Sequence, residues 1–286
     1  MACKFSEIKT NKNNILSSRV SPNVIYNRFD LLYGDDYELY DIGFTVVPVK
    51  KIDGYLTVGL YLVDGNKSIL SKFLTFLFNK YSDIKYIIVK HCYTNICKAK
   101  PYPYWHIKLP KTKEEFDNTL VSRVRYNTKW YPKKVNKDIG EYKIIKYEAC
   151  EISPDIIKLY LQWKSLSHGF SWEGEAIDYI KNVGITHGYV MTITDKIYAI
   201  AFICDTGDNV YFENFSYDVE YKKYSLGMII YYHIICDMIK NKKNIFYLSG
   251  VYLDYKKWYN GILSYTYSGK IKRHHTFWWH LKHLKF

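Results

Sequence analysis

The chain has 286 residues, 48% of them hydrophobic, which suffices for one large domain or two small ones. Lys and Arg total 41 against 28 acids, a formal charge of +13 that favours anionic partners such as nucleotides, CoA-type molecules, RNA or acidic lipids. Six cysteines with no C-x-x-C pair argue against zinc and against a disulfide framework, and no apolar run approaches bilayer-spanning length.

The polar opening MACKFSEIKTNKNN has no apolar segment of the signal-peptide kind, so a cytoplasmic protein with reduced cysteines is expected. Residues 1–40 show no clear periodicity. IGFTVVPVK and YLTVGLYLV are β-rich and joined across KIDG, a hairpin signature. SILSKFLTFLFNKYSD carries apolar residues at helical spacing, and KYIIVKHC reads as a buried strand. A Pro-containing connector follows, with the alternating YWHIKL as a candidate strand inside it. Residues 111–140 predict one helix with a basic face (Arg123, Arg125, Lys129, Lys133, Lys134), kinked or ended at Pro132.

EYKIIKYEA predicts a strand. Ser153 and Pro154 then form an N-cap and first-turn pair for a helix through SLSHGF. EGEAIDYIKNVG predicts a short helix. HGYVMTIT, KIYAIAFICD and NVYFENFSYD are separated by hairpin-sized links, an antiparallel meander. YKKYSLGMIIYYHIICDMI is the helix after the meander, NIFYLSG a buried strand, YLDYKKWYNG a short helix or turn, and SYTYSGKIKR a last strand. The tail HHTFWWHLKHLKF reads as an amphipathic segment that docks on the body or touches a membrane surface or partner. The strands flanking the late helix must run parallel, and a cleft opens at the helix start if they splay where they part.

Backbone N–H groups at that helix start, from Ser225, Leu226, Gly227 and Met228, are a natural anion site, with Lys222 and Lys223 adding charge. The alternative is an ordinary N-cap at Ser225 beside a solvated basic face. Glu213 lies mid-strand, and strict alternation puts Tyr211, Glu213, Phe215 and Tyr217 on one face. A carboxylate there is either a general base or a cross-strand partner for a lysine. Tyr255 or Tyr259 is placed to protonate a leaving thiolate, or else is packing in a Tyr-rich chain. His168 is a helix C-terminal residue or, with Trp172, Glu173 and Glu175, part of an acceptor pocket. No Ser/His/Asp spacing fits a hydrolase and no cluster has metal-ligand spacing, so no metal is expected.

Four segments carry a family resemblance: LVSRVRYNTKWYPKKVNKDIG, KIYAIAFICDTGDNVYFENFSYDVEYKKYSLGMIIYYHII, FYLSG and YLDYKKWYNG. Together, over residues 105–270, they resemble the GNAT acyltransferase superfamily, in the branch of FemAB-type transferases and CelD-like cellulose-biosynthesis acetyltransferases. Leu226 stands where that branch carries Pro. The resemblance implies an α/β (α+β) fold with a GNAT-like mixed, mostly antiparallel, splayed sheet flanked by helices. It implies a GNAT-like domain at 106–286 and a smaller α/β lobe at 1–105, open to reading as a degenerate second GNAT unit.

It further implies an N-acyltransferase passing an acyl group from acyl-CoA, foremost acetyl-CoA, to an amine, such as an amino sugar or nucleotide-linked amino sugar of a polysaccharide pathway. The implied roles are catalytic for Glu213 and Tyr255, and donor-binding for Phe215, Ser216, Tyr217, Lys223, Tyr224, Ser225, Leu226, Gly227, Met228 and Lys256. His168, Trp172 and Glu173 would bind the acceptor. Two alternatives stay open: a FemX-like transferase using aminoacyl-tRNA, for which the basic helix and net charge suit RNA, and an idle GNAT-like module that binds nucleic acid or an acidic membrane.

Overall fold

Hydrophobic periodicity switches between two and 3.6 residues along the chain, and the elements follow it. The computed structural model describes residues 5–7, 37–43, 45–60, 66–96, 99–169, 171, 173–183, 185–205, 207, 209–248 and 255–273. Two compact units emerge, residues 1–104 with 264–286, and residues 105–263. The amphipathic tail at 274–286 lies outside the described residues.

In the first unit, β1 (Ser6–Glu7), β2 (Glu38–Asp41), β3 (Val46–Ile52) and β4 (Tyr55–Val58) pair antiparallel in that order. The expected hairpin turn is Asp53–Gly54, where Gly54 takes φ +78°. Helix α1 (Lys67–Lys80) begins at Asn66, whose side chain accepts from the Ser68 N–H. It crosses to β5 (Tyr86–Cys92), which runs parallel to β4. Leu70, Phe73, Leu74 and Leu77 line one helix face and bury against Leu56, Val58, Ile87 and Val89. Lys80 ties the helix end to Glu7 at 2.8 Å and Glu38 at 2.9 Å.

The second unit starts along β6 (Pro101–Lys108), so the expected strand extends back through two prolines of the connector. The single helix predicted over 111–140 is two: α2 (Lys113–Thr119) and α3 (Ser122–Asp138). Leu120 and Val121 between them are extended, and Leu120 is buried. Pro132 neither ends nor splits α3. Proline withholds one intrahelical bond, while Val124, Thr128 and Val135 are buried on either side of it.

Next come β7 (Tyr142–Glu148), α4 (Pro154–His168) and α5 (Ala176–Val183). Ser153 caps α4 through the Ile156 N–H, as its sequence predicts. The meander is β8 (His187–Ile193), β9 (Lys196–Asp205) and β10 (Asn209–Tyr217), all antiparallel. A 3-10 turn over Val219–Tyr224 leads into α6 (Leu226–Lys240), then β11 (Ile245–Tyr247) and α7 (Tyr255–Trp258). The sheet order in this unit is β7-β8-β9-β10-β11-β6. In the last strand, β12 (Ile262–Lys272), residues 267–272 pair antiparallel with β5 of the first unit.

β9 shows how the layers form. Ala199, Ala201 and Ile203 join the core under α3 and α6, whereas Ile200 and Phe202 join the core under α4 and α5. Both faces are covered, so Ala199–Cys204 is a continuous buried run rather than a half-buried alternation.

Gly261 is fixed by contact. A Cβ there would collide with the Lys256 carbonyl oxygen and lie 3.2 Å from Trp105 Cε3. Backbone cannot move aside as a side chain can. Gly261→Ala is expected to cost about 2–3 kcal/mol in urea denaturation; a loss near zero would show that the 255–261 turn is free to shift.

Candidate active site

β10 and β11 are parallel, as the order of elements requires, but they pair over three residues only: Asn209, Val210 and Tyr211 with Ile245, Phe246 and Tyr247. Past that rung β11 leans the other way, and the Leu248 N–H donates to the Trp105 carbonyl on β6 at 2.8 Å. β10 continues along β9 to Tyr217. Its stretch 212–217 is therefore the parted edge of a splayed sheet.

The register of β10 on β9 slips between Phe212 and Asn214, so Glu213 is the extra residue of a β-bulge. The bulge overturns the expected alternation. Val210 and Phe212 face α6, and after the bulge Phe215 and Tyr217 face it too. Ser216, on the other face, is buried opposite Ile200. Tyr211, Glu213, Phe215 and Tyr217 thus do not share one face, and the donor-binding trio 215–217 is divided between two. Glu213 is half-buried at the point where the strands separate.

The start of α6 stands over the parted edge. Gly227 packs on the Phe215 ring so closely that a Cβ would lie 2.8 Å from Cε1. Ser225 is left-handed (φ 49°, ψ 45°) and its side chain makes no cap bond, which removes the ordinary N-cap alternative. Its N–H donates to the Lys222 carbonyl, and its own carbonyl accepts from Met228 N–H at 2.8 Å. Of the four expected anion donors, Leu226 and Gly227 are left with N–H groups that precede any carbonyl the helix offers them. The Leu226 side chain and Tyr224 are buried in the core, and Lys223 is exposed with its ammonium 5.1 Å from the Tyr224 ring centre.

The helix α7 and the turn after it flank the same place. Tyr259, 2% exposed, donates its hydroxyl to the Met228 carbonyl at 3.4 Å and meets Tyr231 edge-on at 4.7 Å. Lys256 is buried, and burial pulls its ammonium down to about 8. The side chains of Tyr255 and His168, and all of Trp172, lie outside the described residues. Glu173 is exposed, and Gly169 (φ +63°) makes the left-handed cap after His168.

Two features escaped the sequence reading. Tyr211 and Tyr247 stack at 4.5 Å on the last paired rung, with His106 6.0 Å from Tyr247 and its imidazole pushed down by burial. Lys164 of α4 reaches the parted edge and donates to the Phe215 carbonyl at 3.2 Å, its ammonium also disfavoured by burial. Only its place one residue after buried Trp163 hinted at this. Among the described residues no three His, Cys, Asp or Glu side chains gather as a metal site, and no helix is long and apolar enough to cross a membrane.

Residues 182–257, which hold the meander, the bulge and α6, match the family model of the acetyltransferase (GNAT) domain. Over that stretch the chain is similar to a GNAT acetyltransferase domain. The enzyme class expected from sequence, an acyltransferase, follows from it. The fold is similar to that of two solved structures: FemX (TM-score 0.66, 11% identity, 96% of this chain and 99% of that one) and L-PGS from Bacillus licheniformis (0.61, 10%, 93% of each). A conserved protein of unknown function from Bacteroides thetaiotaomicron is also similar (0.61, 13%, 95% and 100%). At these identities the likeness is one of fold. No curated protein sequence matches the chain.

Proposed function

We propose that the GNAT domain transfers an acyl group from an acyl-CoA-type thioester, foremost acetyl-CoA, to an amine. The parting of parallel β10 and β11 beneath the start of α6, with a bulge at the parting, carries this reading. An extended thioester arm fits such an edge because residues 212–217 there hold strand conformation without a β11 partner. Its phosphates would meet the Leu226 and Gly227 N–H groups, the helix dipole and Lys223.

The amine nitrogen bonds the acyl carbon, the C–S bond breaks, and the thiolate leaves. Glu213 is the base for the ammonium proton, and Tyr255 or Tyr259 is the acid for the thiolate. Lys256 supplies a cation for the donor. From the branch its motifs resemble, the acceptor is an amino sugar or nucleotide-linked amino sugar, held near His168, Trp172 and Glu173, and the enzyme works in the cytoplasm. The first unit repeats the parallel strand–helix–strand of β10–α6–β11 in β4–α1–β5, which supports reading it as a degenerate GNAT unit.

Acetyl-CoA is expected to raise the melting temperature, since it binds only the folded chain. Glu213→Gln is expected to keep that shift while slowing thiol release in the presence of an amino-sugar panel by about a hundredfold or more. A shift with charged tRNA and none with any acyl-CoA would move the donor to aminoacyl-tRNA; a response to polyanions alone would make the domain an idle binding module.

A further inference from the structure

The solvent face of α3 is not an ordinary solvated face. Arg123, Tyr126, Trp130, Lys133 and Lys137 recur three and four residues apart and so form one stripe along about 20 Å of helix, with Lys129 beside it. All six are exposed, Tyr126 at 63% and Trp130 at 39%. Solvated helix faces normally mix both signs of charge. Here the one acid of the helix, Asp138, lies off the stripe, 2.8 Å from Lys134. The opposite face, Val124, Thr128 and Val135, is buried, so the stripe points outward.

The stripe also has a fixed neighbour. Lys134 places its ammonium 5.5 Å from the centre of the Tyr224 ring, one residue before Ser225 and the start of α6. Exposed Lys222 and Lys223 continue the positive charge from α3 to that start. A partner docked on α3 therefore sits beside the candidate donor site.

We propose that this face docks an acidic carrier protein that presents the acyl group as a thioester on a phosphopantetheine-type arm. The proposal rests on the donor reading above. Such an arm shares its thioester end with acyl-CoA and is joined to its protein through one phosphodiester, which matches the two N–H groups of Leu226 and Gly227 better than a pyrophosphate does. Exposed Trp, Tyr and Arg among cations, with Val121 also exposed at 52%, is the composition of a protein-interface hot spot facing a negative partner. An RNA backbone would need the cations alone.

The test titrates the full chain with a purified acetyl-loaded bacterial acyl carrier protein, at low and at physiological ionic strength, beside an acetyl-CoA melting shift. Carrier binding is expected, weakening with salt. The triple change Lys129→Glu, Lys133→Glu and Lys137→Glu, and separately Trp130→Ala, are expected to weaken it by about tenfold or more. The triple variant should keep the wild-type melting temperature, since its lysines are solvent-facing, and both variants should keep the acetyl-CoA shift. An acetyl-CoA shift without carrier binding overturns the proposal and leaves the donor reading intact. Carrier binding untouched by the variants overturns it too, as does a face that binds RNA or anionic vesicles in place of the carrier. If neither acetyl-CoA nor carrier binds, the donor reading itself has failed.

Discussion

Gly227→Glu is expected to abolish the melting shift given by acetyl-CoA and to lower the melting temperature of the unliganded protein. Two separate causes produce these losses. A carboxylate at the second residue of α6 puts a negative charge where the donor's phosphate would meet the helix dipole. Any side chain there also lands on the Phe215 ring, with its Cβ 2.8 Å from Cε1. Gly227→Ala isolates the second cause and is expected to cost about 1–3 kcal/mol. Phe215 is half-buried, so Phe215→Leu opens room, and the cost of Gly227→Ala should shrink in that background. An unchanged cost would mean that the glycine serves the backbone rather than the ring. A surviving acetyl-CoA shift in Gly227→Glu would place the donor away from α6.

Lys256→Met is expected to change two readouts, the pH dependence of stability and donor binding. The lysine is 1% exposed and its ammonium is pulled from the ordinary 10.5 to about 8 by burial. Below pH 8 both folded and unfolded chains carry the proton, and the cost of burying the charge is fully present. Between pH 8 and 10.5 the unfolded chain holds more protons, so folding stability rises with pH through that window. Methionine keeps the shape without the charge. It should flatten the alkaline rise in stability.

Donor binding should fall by about tenfold in the same variant, because a charge-assisted contact is lost. In the wild type, donor affinity should decline as pH passes about 8 and the ammonium becomes neutral. Calorimetry for the donor and urea denaturation across pH measure both. A variant less stable at pH 7 that binds donor normally would assign Lys256 to packing alone.

Local chemistry made most elements legible. Ser153–Pro154 announced α4, Asp53–Gly54 the hairpin, and the short links of the meander left only an antiparallel arrangement. The β10–α6–β11 order required a parallel pair, and the pair is there. Four segments between Leu120 and Gly261 pointed to a GNAT domain; the family match over residues 182–257 takes in the later ones and leaves the basic segment 120–140 outside it.

What stayed hidden depends on contacts between distant residues. Strict alternation along VYFENFSYD mis-assigned the faces, because a bulge arises from the register against β9, and one residue's slip inverts every side chain after it. Ser225 has the composition of an N-cap but adopts a left-handed backbone, since the 3-10 turn before it sets the entry angle of α6. Pro132 should end a helix on local grounds, yet burial of Val124, Thr128 and Val135 carries α3 through it. The sequence by itself determined most of the elements, the direction of the strands around α6 and the basic character of residues 123–137. Only the tertiary structure decided that β10 parts from β11 at Tyr211, that Phe215 is the reason for Gly227, and that the basic residues of α3 face solvent beside the start of α6. Those are properties of register and packing, which no single stretch of chain contains.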